Sequence, residues 1–382
     1  MRILYTTTIG MTMIFFRQLV KRLIDEGHTV DIATNVIAFP VDDYYKELGC
    51  KVFHIPWARS PFSKANIEAI KQVRRLAQNY DIVHCHTPVA AACTRIACKK
   101  LRKNGLKLIY TAHGFHFYKG APFMNWIIFY PIEWSCSFLT DVLITINPED
   151  YNRAKKRLHA KKTAYVPGVG VDIEHYSKTK IDIAKKRKEL GVPENCFFLV
   201  SVGEVKKNKN HETVIRALAK INCADIHYGI AGEGELEDRL KELAAELNIS
   251  DRVHLYGFRN DIAEIYKAAD LNVFPSIREG LGLAALEGFA AGLPIICGDN
   301  RGTRSYARNG ENALVCVNNS TEEYAENILR LYKDRELLNA LRKETLPEAE
   351  KFSVDIITDR MIKILNDIND SGLEGQKGTD NL

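Results

Sequence analysis

The chain reads as an α/β protein of two doubly wound parallel-sheet domains, and three observations predict this. At 382 residues, with 46% apolar and 26% charged side chains, it has the length of two domains and the composition of an ordinary globular protein. Short apolar runs alternate with segments of helical period throughout its length. The alternation pauses in a Gly- and Pro-containing stretch, Tyr165 to Asp172, and then starts again.

Taken in order, Ile3 to Thr8 is a strand, Phe15 to Glu26 a helix stopped by Gly27, and Thr29 to Thr34 the next strand, which makes a βαβ unit. Further strands are expected at Lys51 to Ile55, Ile82 to Cys85, Lys107 to Thr111 and Val142 to Ile146, with helices between them. The linker is placed at Gly168 to Ile173. Beyond it, Phe197 to Val202 is a strand, His211 to Lys220 a helix, Ile226 to Ile230 a strand, Leu236 to Leu247 a helix and Val253 to Tyr256 a strand. Leu271 to Phe274 follows as a buried strand, Leu283 to Ala291 as a helix stopped by Gly292, and Leu293 to Cys297 as another strand. The domains expected are 1–167 and 168–351, with a helix at about 352–368 returning to the first and a polar, disordered tail at 372–382.

Composition excludes several classes. Nine cysteines, scattered and never in a C-x-x-C pair, argue against a disulfide framework and a structural zinc site. His84-Cys85-His86 and His113-Gly114-Phe115-His116 lack a matching second ligand pair, so no metal is expected. Met1-Arg2 runs straight into a strand without room for a signal peptide, and no uncharged apolar run is long enough to cross a bilayer, so a cytoplasmic protein is expected. Charge is uneven: residues 1–165 hold 24 Lys and Arg against 12 Asp and Glu, whereas the remainder holds 29 against 36. The basic runs Lys99 to Lys103 and Arg153 to Arg157 are either solvated helix faces or a surface drawn to anionic lipid, at about 1 kcal/mol per nearby basic residue. No nucleic-acid motif accompanies them. The aromatic segment Ala121 to Trp134, interrupted by Pro131 and Glu133, fits either a membrane interface or a helix buried under the sheet.

The chemistry concentrates at Pro275 to Gly292. Glu279 stands in a glycine-rich loop, Gly280-Leu281-Gly282, and Glu287 in a helix apolar almost all round, where an unpaired carboxylate would cost several kcal/mol. A sugar diol satisfies such a group, and the free N–H groups at the start of the helix suit phosphate. The alternative is that Glu279 caps the helix or is solvated and that Glu287 pairs with a core arginine. Other strand ends carry similar candidates. Gly10 lies after the first strand, either approaching a ligand or making a turn. His113 precedes an aromatic loop and either orients a sugar hydroxyl or is structural. Gly203 opens a loop holding Lys206, Lys207 and Lys209, where Lys209 is nearest the next helix and suited to a diphosphate, unless all three lysines are merely solvated. The backbones at Gly232 and Phe258 either hold a nucleobase or form turns. The chain has no Asp-x-Asp, so a diphosphate would be neutralised by Lys, Arg and backbone N–H groups rather than a metal.

Taken together, Glu279 and Glu287 (E-x7-E), Gly203 with Lys209, and Thr111-x-His113-Gly114 resemble glycosyltransferase family 4, over nearly the whole chain from Arg2 to about Asp367. The resemblance implies the GT-B fold, two Rossmann-like domains facing across a cleft, and retaining transfer from a nucleotide sugar without metal or other cofactor. It implies that Lys209 binds the donor diphosphate, Glu279 and the backbone of Gly280 to Gly282 the donor sugar, Glu287 the ribose, and His113 the sugar near the reacting carbon. Gly10 would belong to a loop closing over phosphate and acceptor. Many members carry Arg after the Gly203 position; this chain has Glu204, which would repel phosphate if it pointed inward, with Lys206 or Lys207 replacing the missing charge. Gly203-Glu204 with Asn208-Lys209-Asn210-His211 behind it, Thr111 to Tyr118, and Val166 to Asp172 are similar to a bacterial capsule and exopolysaccharide subgroup. That subgroup implies a UDP-sugar donor, an undecaprenyl diphosphate-linked saccharide acceptor and a place on the inner face of the cytoplasmic membrane. The alternatives are a nucleotide-sugar epimerase or a non-catalytic nucleotide-sugar-binding subunit.

Overall fold

The computed structural model describes residues 1–370 apart from 38, 59, 318 and 319, and only the backbone of 369 and 370. The tail expected at 372–382 lies outside the described residues. The chain divides into two compact units, one from Met1 to Val169 rejoined from Asp355 onward, the other from Gly170 to Val354.

The first unit carries seven strands: β1 Arg2–Ile9, β2 Thr29–Asn35, β3 Val52–His54, β4 Ile82–His86, β5 Lys107–Ala112, β6 Val142–Thr145 and β7 Lys162–Tyr165. They form one parallel sheet in the order β3-β2-β1-β4-β5-β6-β7. The second unit has six, β8 Phe197–Val202, β9 Ile226–Ala231, β10 Val253–Leu255, β11 Leu271–Phe274, β12 Ile295–Gly298 and β13 Ala313–Cys316, all parallel in the order β10-β9-β8-β11-β12-β13. Each sheet has an apolar cluster on both faces, which is why β4 and β9 are buried along their whole length instead of alternating. The order reverses between β1 and β4 in one sheet and between β8 and β11 in the other, and ligands of such sheets gather beyond the carboxyl ends of the strands at these switch points.

Two edge strands escaped the sequence reading. In β7 every residue is half-buried, so its apolar signal is weak; β13 is apolar, mostly buried and no shorter than β6, β11 or β12, so its length does not explain its omission. The first helix also differs: Gly10–Phe16 winds as a 3-10 turn before the α-helix Arg17–Asp25 begins. The cause lies next door, where the Gly10 N–H donates to the Phe39 carbonyl (3.1 Å) and pins the turn to the 39–41 backbone.

The aromatic segment forms a continuous helix, Phe123–Ser137, with Pro131 inside it. One face presses Trp126, Phe129 and Tyr130 onto the core, while Phe123, Met124, Ile127, Trp134 and Phe138 are exposed. Its anchor is a buried ion pair. Arg95 donates to Glu133 (2.8 Å), Tyr110 donates to the other Glu133 oxygen (3.0 Å), and the guanidinium stacks 4.1 Å from the Tyr110 ring centre.

The C-terminal helix Val354–Asp370 sets Ile357, Met361, Leu365 and Ile368 into the apolar cluster beside β1. Where the chain leaves the second unit, Phe352 and Val354 exchange backbone hydrogen bonds with Val171. Gly170 has a positive φ of 87° there, and a Cβ would overlap the Val354 backbone.

Candidate functional site

In the second unit the β8/β11 switch point gathers most of the expected site. After β8, Gly203 takes a φ of 144° and its N–H donates to the Ala231 carbonyl (3.0 Å). Gly232, at φ 153°, runs so close that a Cβ would overlap the Gly203 carbonyl oxygen. The close approach at Gly232 is therefore between the chain's own two loops. The same holds for Gly10, whose missing Cβ makes room for residues 39–41.

The lysine loop continues as a single turn, Lys207–Lys209, and Asn210 enters the left-handed region (φ 57°) to start the helix His211–Ile221. Two asparagines of the Asn208-Lys209-Asn210-His211 run, expected only as part of the subgroup pattern, tie this loop to the one after β11. The Asn208 side chain donates to the Arg278 carbonyl (2.9 Å) and that of Asn210 to the Pro275 carbonyl (3.3 Å), while the Ile277 N–H donates back to Asn208 (2.9 Å). Asparagine suits both tasks, with an amide that reaches backbone and a backbone that tolerates αL.

So placed, Lys209 Nζ lies 2.7 Å from Glu279 Oε1 and 5.4 Å from the centre of the Phe274 ring. The pair is four-fifths or more covered, which keeps its Coulomb attraction from being screened as a surface pair would be. Buried Arg301, also unforeseen, donates to the Glu279 carbonyl (3.3 Å) and adds a second cation beside the same loop. Gly280, Leu281 and Gly282 lead into the helix Leu283–Ala290. Leu281 turns its side chain into the core, leaving only its backbone to face a ligand, and Gly282 (φ 92°) is confined by Tyr306 and Phe274. The Ala285 N–H is engaged with the Gly282 carbonyl (3.1 Å), and the helix start at Leu283 and Ala284 carries the positive partial charge of the helix.

Glu287 sits further along this helix. It is half-buried, and burial among Tyr176, Tyr266 and Lys209 raises its carboxyl from 4.5 to about 7; the Tyr176 hydroxyl bond and the Lys209 charge oppose the rise. Tyr176, from the helix Ile173–Lys178, is a partner that spacing did not reveal, because it reaches Glu287 from over a hundred residues away.

Glu204 points outward. It is 65% exposed and paired with Lys206 at 2.8 Å, so it neither repels an anion at the switch point nor leaves Lys206 to attract one. Lys207 is exposed, with no partner among the described residues. Phe258 holds its ring in solvent, and its N–H donates to Glu233 (3.3 Å).

His113 and Gly10 belong to the first unit. His113 follows β5, is half-buried, and sets its Nε2 3.1 Å from Nδ1 of His86. Burial lowers it to about 4, so the ring is neutral near pH 7. At the β1/β4 switch point a cavity of about 310 Å³ is lined by Thr8, Ile9, Thr12, Pro61, Thr87, Pro88, Val89, His116 and Phe129. The Thr8 and Thr87 hydroxyls meet at 2.6 Å at the mouth of the helix Pro88–Cys98, and Thr87 holds a φ of 63°, unusual for a β-branched residue. Among the described residues no three His, Cys, Asp or Glu side chains cluster as metal ligands, and no helix is long and apolar enough to cross a membrane.

Comparison with known proteins gives this geometry a family. Models described as Glycosyltransferase Family 4 and Glycosyl transferases group 1 match residues 14–175 and 182–346. A Bacillus subtilis protein, putative glycosyltransferase EpsD, is 39% identical over 347 residues, 85% of this chain and 91% of that one. The chain belongs to glycosyltransferase family 4. Another relative of this family 4 chain is the Escherichia coli UDP-Gal:alpha-D-GlcNAc-diphosphoundecaprenol alpha-1,3-galactosyltransferase, 29% identical over 80% of each chain. Among solved structures, Anabaena HepE in complex with UDP and glucose superposes with a TM-score of 0.81 at 20% identity, covering 96% of this chain and all of that one. WaaG, a glycosyltransferase involved in lipopolysaccharide biosynthesis, gives 0.75 at 18% identity, covering 95% and 99%. The two parallel-sheet units are those of the GT-B fold.

Proposed function

We propose that this glycosyltransferase moves a hexosyl or N-acetylhexosaminyl group from a UDP-sugar to a saccharide on undecaprenyl diphosphate, in capsule or exopolysaccharide synthesis, retaining anomeric configuration without a metal. The observation that carries the reading is the Lys209–Glu279 pair at 2.7 Å beside the amino end of the helix Leu283–Ala290. There a diphosphate meets Lys209, Arg301 and helix N–H groups, the sugar meets Glu279 and the backbone of Gly280 to Gly282, and the ribose meets Glu287. Phe258 offers a face to the base, and Lys207 stays available to the phosphates. With Glu204 turned away, nothing favours a non-catalytic binding subunit.

The acceptor hydroxyl attacks the anomeric carbon from the face that the nucleotide leaves, and the leaving phosphate takes its proton. Positioning and charge stabilisation supply most of the rate. His113, neutral, bonds the sugar near the reacting carbon. For the acceptor, the 310 Å³ cavity of the first unit offers hydroxyls from Thr8, Thr12 and Thr87 and apolar walls from Pro61, Pro88 and Phe129. The exposed Phe123, Met124 and Ile127, on the basic half of the chain, support peripheral attachment to the inner face of the cytoplasmic membrane. The E. coli relative, whose name carries a diphosphoundecaprenol acceptor, supports the lipid-linked acceptor.

The test is UDP release from each common UDP-sugar, with and without an extract of lipid-linked saccharides. Release that needs the extract supports the proposal and names the donor. Conversion of one UDP-sugar into another without acceptor would point to an epimerase instead.

A further inference from the structure

His86, the last residue of β4, is wholly buried, with its ring among Tyr5 (5.6 Å, stacked), Phe16 (4.4 Å) and His84 (4.2 Å). Its Nδ1 lies 3.1 Å from His113 Nε2, and its Nε2 is sealed from solvent with no partner among the described residues. His84 offers no alternative: its Nε2 is engaged with the Thr111 hydroxyl (2.8 Å), and its Nδ1 makes no hydrogen bond to His86 or to any other described residue. Burial keeps all three rings neutral near pH 7. Between two neutral imidazoles one nitrogen must donate and the other accept.

If His113 Nε2 donated, His86 would carry its proton on Nε2, leaving a buried N–H without an acceptor. If His86 Nδ1 donates, His86 Nε2 is left with only a bare lone pair. Orphaned buried donors are the rarer and costlier defect. We infer that His86 is a positioning residue: it donates from Nδ1 to His113 Nε2 and so holds His113 in the Nδ1–H tautomer, which presents a donor to a sugar oxygen. This rests on the reading that His113 faces the donor sugar. It also gives His113 a fixed role, since an Nδ1–H ring whose Nε2 is engaged cannot take the acceptor's proton.

Long-range ¹H–¹⁵N correlation on the histidine-labelled full chain at pH 7, with His113 assigned by its loss in His113→Gln, reads the tautomer directly. The expected spectrum has a protonated Nδ1 and a bare Nε2 on His113; a protonated Nε2 overturns the inference. In turnover, His86→Leu should lose about tenfold in kcat, the value of one hydrogen bond. His86→Asn, whose amide nitrogen can occupy the Nδ1 position, should recover most of it, and His86→Leu should add little once His113→Gln is present. Additive losses, or an Asn variant that folds but is no better than Leu, would overturn it. Full turnover by His113→Gln would instead defeat the reading of His113 against the sugar, whatever the spectrum shows.

Discussion

Replacing Glu287 by Gln should make the unliganded protein more stable at pH 8 while weakening its hold on UDP. The carboxyl moves from 4.5 to about 7 on folding, chiefly because burial disfavours its charge, which corresponds to about 3 kcal/mol. Glu287 is only half-buried, so this is an upper value. The sign follows from proton linkage. A carboxyl raised in the folded state binds more protons folded than unfolded, so stability falls as pH climbs from about 4.5 to 7, and the full penalty stands above that window. Gln cannot ionise and can still accept from the Tyr176 hydroxyl. Urea unfolding of wild type and Glu287→Gln at pH 8 and pH 4.5 should therefore show a gain of about 2–3 kcal/mol for the variant at pH 8 and little difference at pH 4.5. Titration with UDP should show weaker binding by the variant, because a carboxylate that accepts ribose hydroxyls has been replaced by an amide. A variant less stable at pH 8, or a gain equal at both pH values, would refute the argument that Glu287 is held at a cost for ligand binding.

Lys209→Ala and Glu279→Ala should each lower kcat about 10²–10³-fold with the fold intact by circular dichroism, the scale expected when one preorganised charge is lost; near-normal turnover in both would remove the Lys209–Glu279 pair from the site. Glu204→Ala should change turnover less than twofold and unfolding by under about 1 kcal/mol, because its partner Lys206 is an exposed one. Glu133→Ala, which strands buried Arg95, should cost about 3–5 kcal/mol in the first unit's unfolding transition, and a cost near zero would show that the pair does not anchor the aromatic helix. Phe123→Ser with Ile127→Ser should reduce co-sedimentation with vesicles containing anionic lipid and leave sedimentation alone unchanged, and equal vesicle binding by wild type and variant would defeat the interface reading.

The sequence by itself determined the class, the chain positions of nearly all the strands and which residues to expect at the candidate site. Buried parallel strands are continuous apolar runs, and the E-x7-E spacing, the lysine loop and the His-Gly after β5 are local patterns, legible without coordinates. Edge strand β7 stayed hidden because a half-buried strand carries little apolar signal, whereas the Ala-Leu-Val-Cys run of β13 was legible and overlooked. Which way Glu204 faces, and hence whether it would oppose a phosphate, was undecidable from its neighbours in the chain; the exit path of the loop after β8 turned it toward Lys206. Gly10 and Gly232 looked like places for a ligand's approach, but their missing Cβ atoms accommodate backbone from elsewhere in the chain. Only tertiary structure could bring Tyr176 to Glu287, Arg301 to Glu279, Asn208 to the Glu279 loop and His86 to His113. The first joins two helices; the others join different strand ends, which parallel connections separate by tens of residues, so their chemistry is set by which elements lie side by side and not by spacing along the chain.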